Sequence, residues 1–115
     1  MSKLAVVLLS DMEDPVKVEM ALRFTVVAHR ERRLEDLRFY FFGPGVRVPA
    51  QLAEYPELRE QLETLLEAGI TTTACIFNAR QLEEEDSLRE AEITMQGIGP
   101  ELTDLVARGY EVMTF

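Results

Sequence analysis

Short apolar runs alternate along this chain with stretches whose apolar residues recur every three or four positions, and that alternation restricts the fold more than any other feature. The first run, Leu4-Ala5-Val6-Val7-Leu8-Leu9, is continuous, as in a central strand covered on both faces. Asp14-Pro15 then supplies a helix cap and a proline at the first helical position, where a missing N–H costs nothing. In the helix so opened, Val16, Met20, Phe24 and Val27 recur at helical spacing, and Val18, Ala21, Leu22 and Val26 widen the stripe beyond one face. His29, Arg30, Arg32 and Arg33 crowd its end, where cations suit the helix dipole.

Arg38 to Phe42 predicts a second strand, stopped by Gly43-Pro44-Gly45. Val46 to Tyr55 has no clear period and contains Pro49, so it predicts a loop. Pro56 opens a second helix with a stripe of Leu58, Leu62, Leu65 and Leu66, and Gly69 ends it. Thr71 to Phe77 reads as a third strand, with Asn78, Ala79 and Arg80 turning out of it. Gln81 to Glu90 is polar and acidic, compatible with a loose helix or a surface loop. Glu92 to Gln96 predicts a short strand, Pro100 opens a helix with Leu102, Leu105 and Val106 inward, and Tyr110 to Phe115 is the last strand. Such an order demands right-handed crossovers, hence a five-stranded, mainly parallel sheet in a three-layer α/β/α fold, for which a flavodoxin-like strand order is expected. With 115 residues there is material for one core, so residues 1–115 are expected to form a single domain.

Twelve basic against 21 acidic residues leave a net charge of -9, which repels a phosphate backbone and disfavours nucleic-acid or anionic-membrane binding. The apolar run at residues 4 to 9 is far shorter than a membrane span. One cysteine cannot close an internal disulfide or a C-x-x-C pair, which points to a reducing, cytoplasmic setting.

That cysteine, Cys75, falls near the end of the third strand, on the sheet edge where ligand and catalytic sites gather in open parallel α/β proteins. A thiolate there can be stabilised by backbone N–H groups, and Arg80 is placed to assist it. The carboxylates of Glu83, Glu84, Glu85 and Asp86 oppose it. A free cysteine packed as a small apolar side chain is the alternative. Gly97-Ile98-Gly99-Pro100-Glu101 makes a poor phosphate cradle, because Pro100 removes a donor and Glu101 adds negative charge. His29 is the only histidine and has no second ligand near it in sequence for a metal. Asp11, Glu13 and Asp14 follow the first strand, as in a response-regulator receiver, but the third strand offers Cys75 where a receiver needs an aspartate. No cofactor or metal is expected.

The order of these elements, with F-Y-F-F-G-P-G-V after the second strand, L-L-E-A-G-I-T-T-T-A-C up to Cys75 and A-R-G-Y-E-V near the end, resembles the DsrE/DsrF-like sulfur-relay family nearly end to end. The resemblance implies that Cys75 accepts sulfane sulfur as a persulfide, taken from a protein donor and passed to a protein acceptor. It also implies assembly into trimers or hexamers, and the wide apolar stripe of the first helix independently suggests a homo-oligomer. Bulky Ile76 and Phe77 beside the cysteine, and the acidic run after it, depart from the family's pattern. Three readings follow: a small sulfurtransferase or sulfur carrier, a non-catalytic assembly or regulatory subunit of the same fold with a packed cysteine, and a module binding nucleotides or small anions at the strand-end loops.

Overall fold

The computed structural model describes residues 2–115 and contains a five-stranded, all-parallel sheet of order β4-β3-β2-β1-β5. The strands are β1 (Ser2–Leu8), β2 (Leu34–Phe41), β3 (Thr71–Cys75), β4 (Thr94–Gln96) and β5 (Glu111–Thr114). Between them run α1 (Pro15–Glu31), α2 (Val48–Gln51), α3 (Pro56–Glu67), α4 (Ile76–Gln81), α5 (Glu85–Glu90) and α6 (Ile98–Ala107). Among the described residues no helix is long and apolar enough to cross a membrane.

Strand number and parallel sense are as the sequence predicts, but the order departs from the flavodoxin-like 2-1-3-4-5. Here β1, β2, β3 and β4 advance in one direction, and only β5 returns to the far side of β1. Hydrophobic periodicity fixes which segments are strands, and crossover handedness fixes their parallel sense. Neither dictates which neighbour each strand takes. The consequence is asymmetric: right-handed crossovers place α1, α3 and the α4–α5 pair on one face, leaving α6 alone to cross the other.

Residues aligned across a parallel ladder project to the same side, so the register sorts the faces. Val6 and Leu8 on β1 share one face with Phe39 and Phe41 on β2 and Ala74 on β3. These side chains are fully buried or nearly so, together with Ala21 and Leu22 of α1 and Leu65 of α3. Each large apolar side chain buried there contributes roughly 1.5–3 kcal/mol. The opposite face carries Ala5 and Val7, then Arg38 and Tyr40, then Thr73 and Cys75, and it meets α6.

Local departures from expectation have identifiable causes. Val18, Ala21, Leu22, Thr25 and Val26 are the buried residues of α1, whereas Val16, Met20 and Val27 form an exposed ridge on its outer side. Phe24 is half-buried, its ring 6.1 Å from that of Phe115. Asp14 makes no side-chain cap bond and lies 3.5 Å from Lys17 instead. The segment expected as a loop at Val46 to Tyr55 is a chain of short helical turns, with Val46, Val48 and Leu52 fully buried. Pieces of three to five residues are too short to display a period. The third strand stops at Cys75, and Ile76 and Phe77 open α4 despite their strand preference. The acidic run supplies the first turn of α5, where Glu85 and Asp86 suit the helix dipole, and Leu88 anchors that helix in the core. In α6, Val106 is exposed and the inward stripe is Ile98, Glu101, Leu102 and Leu105.

Gly45 shows how tightly the end of β1 is packed: a Cβ there would lie 2.0 Å from the Leu8 carbonyl oxygen. Gly45→Ala is therefore expected to lower the free energy of unfolding by about 3 kcal/mol or more, measured by urea denaturation. Gly99→Ala, with nothing within 4 Å of the new methyl, serves as control and should leave stability unchanged or slightly raised.

Candidate functional site at the strand ends

The loops leaving β1 and β2 and the start of α4 meet at the carboxyl edge of the sheet, and side-chain bonds hold them there. Asp11 is nearly buried; its Oδ1 accepts from the Glu13 N–H at 2.9 Å and its Oδ2 from Arg47 Nη1 at 3.3 Å. The Met12 N–H donates to Gln51 Oε1 at 3.0 Å. Gly43, held at φ 56°, donates its N–H to Asn78 Oδ1 at 2.8 Å, which ties the turn after β2 to α4. Of the acidic residues after β1, Asp11 is thus used in fixing the rim, and Asp14 pairs with Lys17. Among the described residues no group of three or more histidine, cysteine or acidic side chains could hold a metal.

Cys75 is the last residue of β3 and pairs across the ladder with Gln96, the last residue of β4. By alternation along β3 it faces α6, one position beyond the core-facing Ala74. It is 4% exposed. Phe77, 64% exposed, extends its ring over Gly97, such that a Cβ on Gly97 would lie 3.2 Å from Phe77 Cε2. Cys75 is therefore buried at the ends of β3 and β4, the region where Phe77 and Gly97 also meet. Arg80 lies further along α4, its Nε 3.6 Å from Glu85 Oε1, and Glu85 also pairs with Arg89. The structure pairs Cys75 with Gln96, sets Phe77 against Gly97, and gives Arg80 a carboxylate partner. His29 belongs to the opposite end of the sheet, beside Arg32 and Asp36 in a shallow cleft of about 300 Å3.

A second group of polar side chains lines the α6 face toward the amino ends of the strands. Tyr40 is fully buried there, with Arg38 and Glu101 beside its hydroxyl. Burial first, and then the Glu101 carboxylate, push the Tyr40 hydroxyl well above its ordinary pKa. Arg38 Nε donates to Asp36 Oδ2 at 2.8 Å, and the Tyr110 hydroxyl donates to the same oxygen. Burial acts to raise the Asp36 carboxyl, but the hydrogen bonds from Tyr110 and Arg38 outweigh it and hold the group below its ordinary value. Lys3, Arg38 and Arg108 each lie 5.5–5.7 Å from the centre of the Tyr110 ring, within cation–π range. Sequence reasoning passed over this group. Its visible signals were the alternation of Arg38 and Tyr40 with apolar neighbours, and a glutamate at an inward position of the last helix.

The fold is that of a parallel α/β protein with one five-stranded sheet and helices on both sides. Two solved structures share that architecture over nearly their whole length. The protein of unknown function BT1422 from Bacteroides thetaiotaomicron superposes with a TM-score of 0.80 at 18% identity, covering 99% of this chain and 95% of its own. The YchN protein of E. coli superposes with a TM-score of 0.80 at 17% identity over the full length of both chains. No protein-family model matches the chain. No curated protein matches it in sequence.

Asp36 gives the fold a pH dependence whose sign is fixed. A carboxyl held below its unfolded value of about 3.9 contributes stability that is complete above that value and is lost as pH falls through the folded value. Asp36→Asn is expected to melt lower than the parent at pH 7. The gap between the two melting temperatures should narrow as pH falls below about 4, in thermal unfolding followed by circular dichroism.

Proposed function

We propose that this chain is a DsrE-like sulfur carrier or sulfurtransferase, working in a reducing cytoplasm, with Cys75 as the sulfur-accepting group. The Cys75 thiolate attacks the outer sulfur of a donor persulfide, R–S–SH. The new bond gives Cys75–S–SH, the old S–S bond breaks, and R–S⁻ leaves with the electron pair. A thiolate of a protein acceptor then takes the outer sulfur in the same way and returns Cys75 to its thiolate. The observation that supports this reading most directly is the place of Cys75, the last residue of β3 on the α6 side of the carboxyl edge. The architecture shared with YchN agrees with it at the level of fold. To assist the thiolate, Arg80 must exchange its ion pair with Glu85.

A second reading, a non-catalytic assembly or regulatory subunit of the same fold, is favoured by one observation: Cys75 is 4% exposed. The two readings separate on reactivity. The carrier is expected to be alkylated at Cys75 in the folded state and to gain one sulfur atom in intact mass after incubation with a sulfane donor, a gain absent in Cys75→Ser. Because Phe77 lies against Gly97 at the same strand ends, Phe77→Ala should speed alkylation. A thiol that reacts only after unfolding, in both the parent and Phe77→Ala, would establish the packed-cysteine reading.

The exposed ridge of Val16, Met20 and Val27 supports assembly into a homo-oligomer, a trimer or a hexamer, through α1. These residues lie directly opposite the buried side of the helix, so no element of the same chain covers them. Val27→Asp is expected to shift the assembly toward monomer in light scattering, whereas Arg32→Glu, past the helix end, should not. A parent protein that is monomeric at micromolar concentration would remove the proposal.

A further inference from the structure

The strand order leaves β4 and β5 each with one open edge. An open edge presents N–H and C=O groups that another extended backbone can pair with, and proteins guard such edges with lysine, proline, a bulge or a covering segment. β4 is three residues long, and its exposed side chains are the polar Thr94 and Gln96. β5 differs. All of its residues are exposed, among them the large apolar Val112 at 41% and Met113 at 39%, and it holds no lysine, proline or bulge.

Which backbone groups of β5 are free follows from its ladder with β1. The Phe115 N–H donates to the Val7 carbonyl at 2.9 Å, and the Phe115 carbonyl accepts from the Leu9 N–H at 2.9 Å. Successive residues of a strand point these groups to opposite edges, so Met113 and Glu111 also bond toward β1, while Val112 and Thr114 turn both groups to the open side. The register sorts the side chains in the same way. Met113 lies beside Val6 on the face that carries α1, whereas Val112 beside Ala5 and Thr114 beside Val7 lie on the α6 face. Phe115, next along the Met113 face, has its ring 6.1 Å from that of Phe24 on α1.

We propose that this edge docks a second copy of the chain, β5 against β5, antiparallel about a two-fold axis at Met113. In that register Val112 of each copy lies opposite Thr114 of the other, so the residues with free backbone groups meet and exchange N–H···O=C bonds. An axis at Val112 or at Thr114 leaves the other of the two without a partner in the strand. Charge complementarity agrees: Glu111, the one charged residue of β5, falls opposite Phe115, so self-pairing sets no like charges face to face. Met113 meets its copy on the axis in a closely spaced, non-hydrogen-bonded pair, with Phe115 next to it on the same face. The surface is separate from Cys75 and from the exposed ridge of α1. Where α1 builds trimers, this two-fold joins them in pairs and closes a hexamer.

The test is the mass of the full-length protein in solution by sedimentation velocity, together with its amide hydrogen exchange. The Val112 and Thr114 amides, which bond to no other strand of their own chain, are expected to be protected in the associated protein and to exchange freely in Met113→Lys. That variant sets two ammonium groups on the axis, at a position exposed enough to leave folding intact. Thr114→Pro removes only an outward N–H, as edge strands tolerate, so circular dichroism should be unchanged while the dissociation constant of the two-fold contact rises roughly tenfold or more. The products separate this contact from the one at α1: in a hexamer, Met113→Lys and Thr114→Pro leave trimers and Val27→Asp leaves dimers, and where α1 makes no contact the parent is a dimer that both β5 variants turn into monomer. Free exchange of the Val112 and Thr114 amides in the parent at every concentration, leaving the edge to solvent or to a foreign strand, would overturn the self-pairing. Folded Met113→Lys and Thr114→Pro proteins of the parent's mass would overturn it as well.

Discussion

The handedness of the β-α-β crossover is the constraint from which the rest of this molecule follows. Three successive crossovers in one direction stack α1, α3 and the α4–α5 pair on the same side of the sheet, and only the return from β4 to β5 uses the other. The crowded side can bury Phe39, Phe41, Leu8 and Leu22 completely and so supplies most of the apolar core. The other side has a single ten-residue helix to cover five strands. Arg38, Thr94 and Gln96 are tolerated there because that part of the face stays open to water, whereas Tyr40 and Thr73 are buried.

That division also explains what could be read from the sequence. Long elements with one clear face, α3 with its leucine stripe above all, have boundaries close to those expected, and β1 is betrayed by six consecutive apolar residues. The parallel sense followed from alternation alone. Strand order did not, because Leu4 to Leu9 reads the same whether its neighbours are β2 and β5 or any other pair. The helical turns from Gly43 to Glu54 were hidden because they are short and are held by tertiary contacts, such as Gly43 to Asn78 and Met12 to Gln51, that join residues far apart in the chain. In α1 the periodicity was present but doubled: two apolar stripes run along one helix, and only packing decides that Val18 and Leu22 go inward while Val16 and Met20 stay outside.

For the candidate site the sequence located Cys75 at a strand end but could not say which face it would take or what would cover it. Both depend on β3 stopping one residue before Ile76, so that the thiol turns toward α6 and is flanked by Gln96 and Gly97. Arg80 is near Cys75 in sequence yet falls beyond the first turn of α4, and a carboxylate five residues later pairs with it. Nearness along the chain is a poor guide once a helix begins between two residues. The acidic run, which reads as an unshielded negative field, is shared out among the α5 amino terminus and the guanidinium groups of Arg80 and Arg89.

The short helix that begins directly after Cys75 is held to the rest of the chain at few points. α4 has six residues, and of these Ala79 alone is fully buried, whereas Phe77 projects into solvent. It is attached to the rest of the chain by the hydrogen bond from Gly43 to Asn78, by Ala79 in the core, by Phe77 against Gly97 and by the exposed ion pair of Arg80 with Glu85. Segments with few buried apolar contacts open at a lower free-energy cost than core strands. The thiol therefore sits between a rigid strand, β3, bonded on both edges, and a helix held at few points. A cysteine in the middle of β3 could be reached only by unfolding the sheet. A cysteine at its last position lies where the sheet ends, next to a segment held at few points.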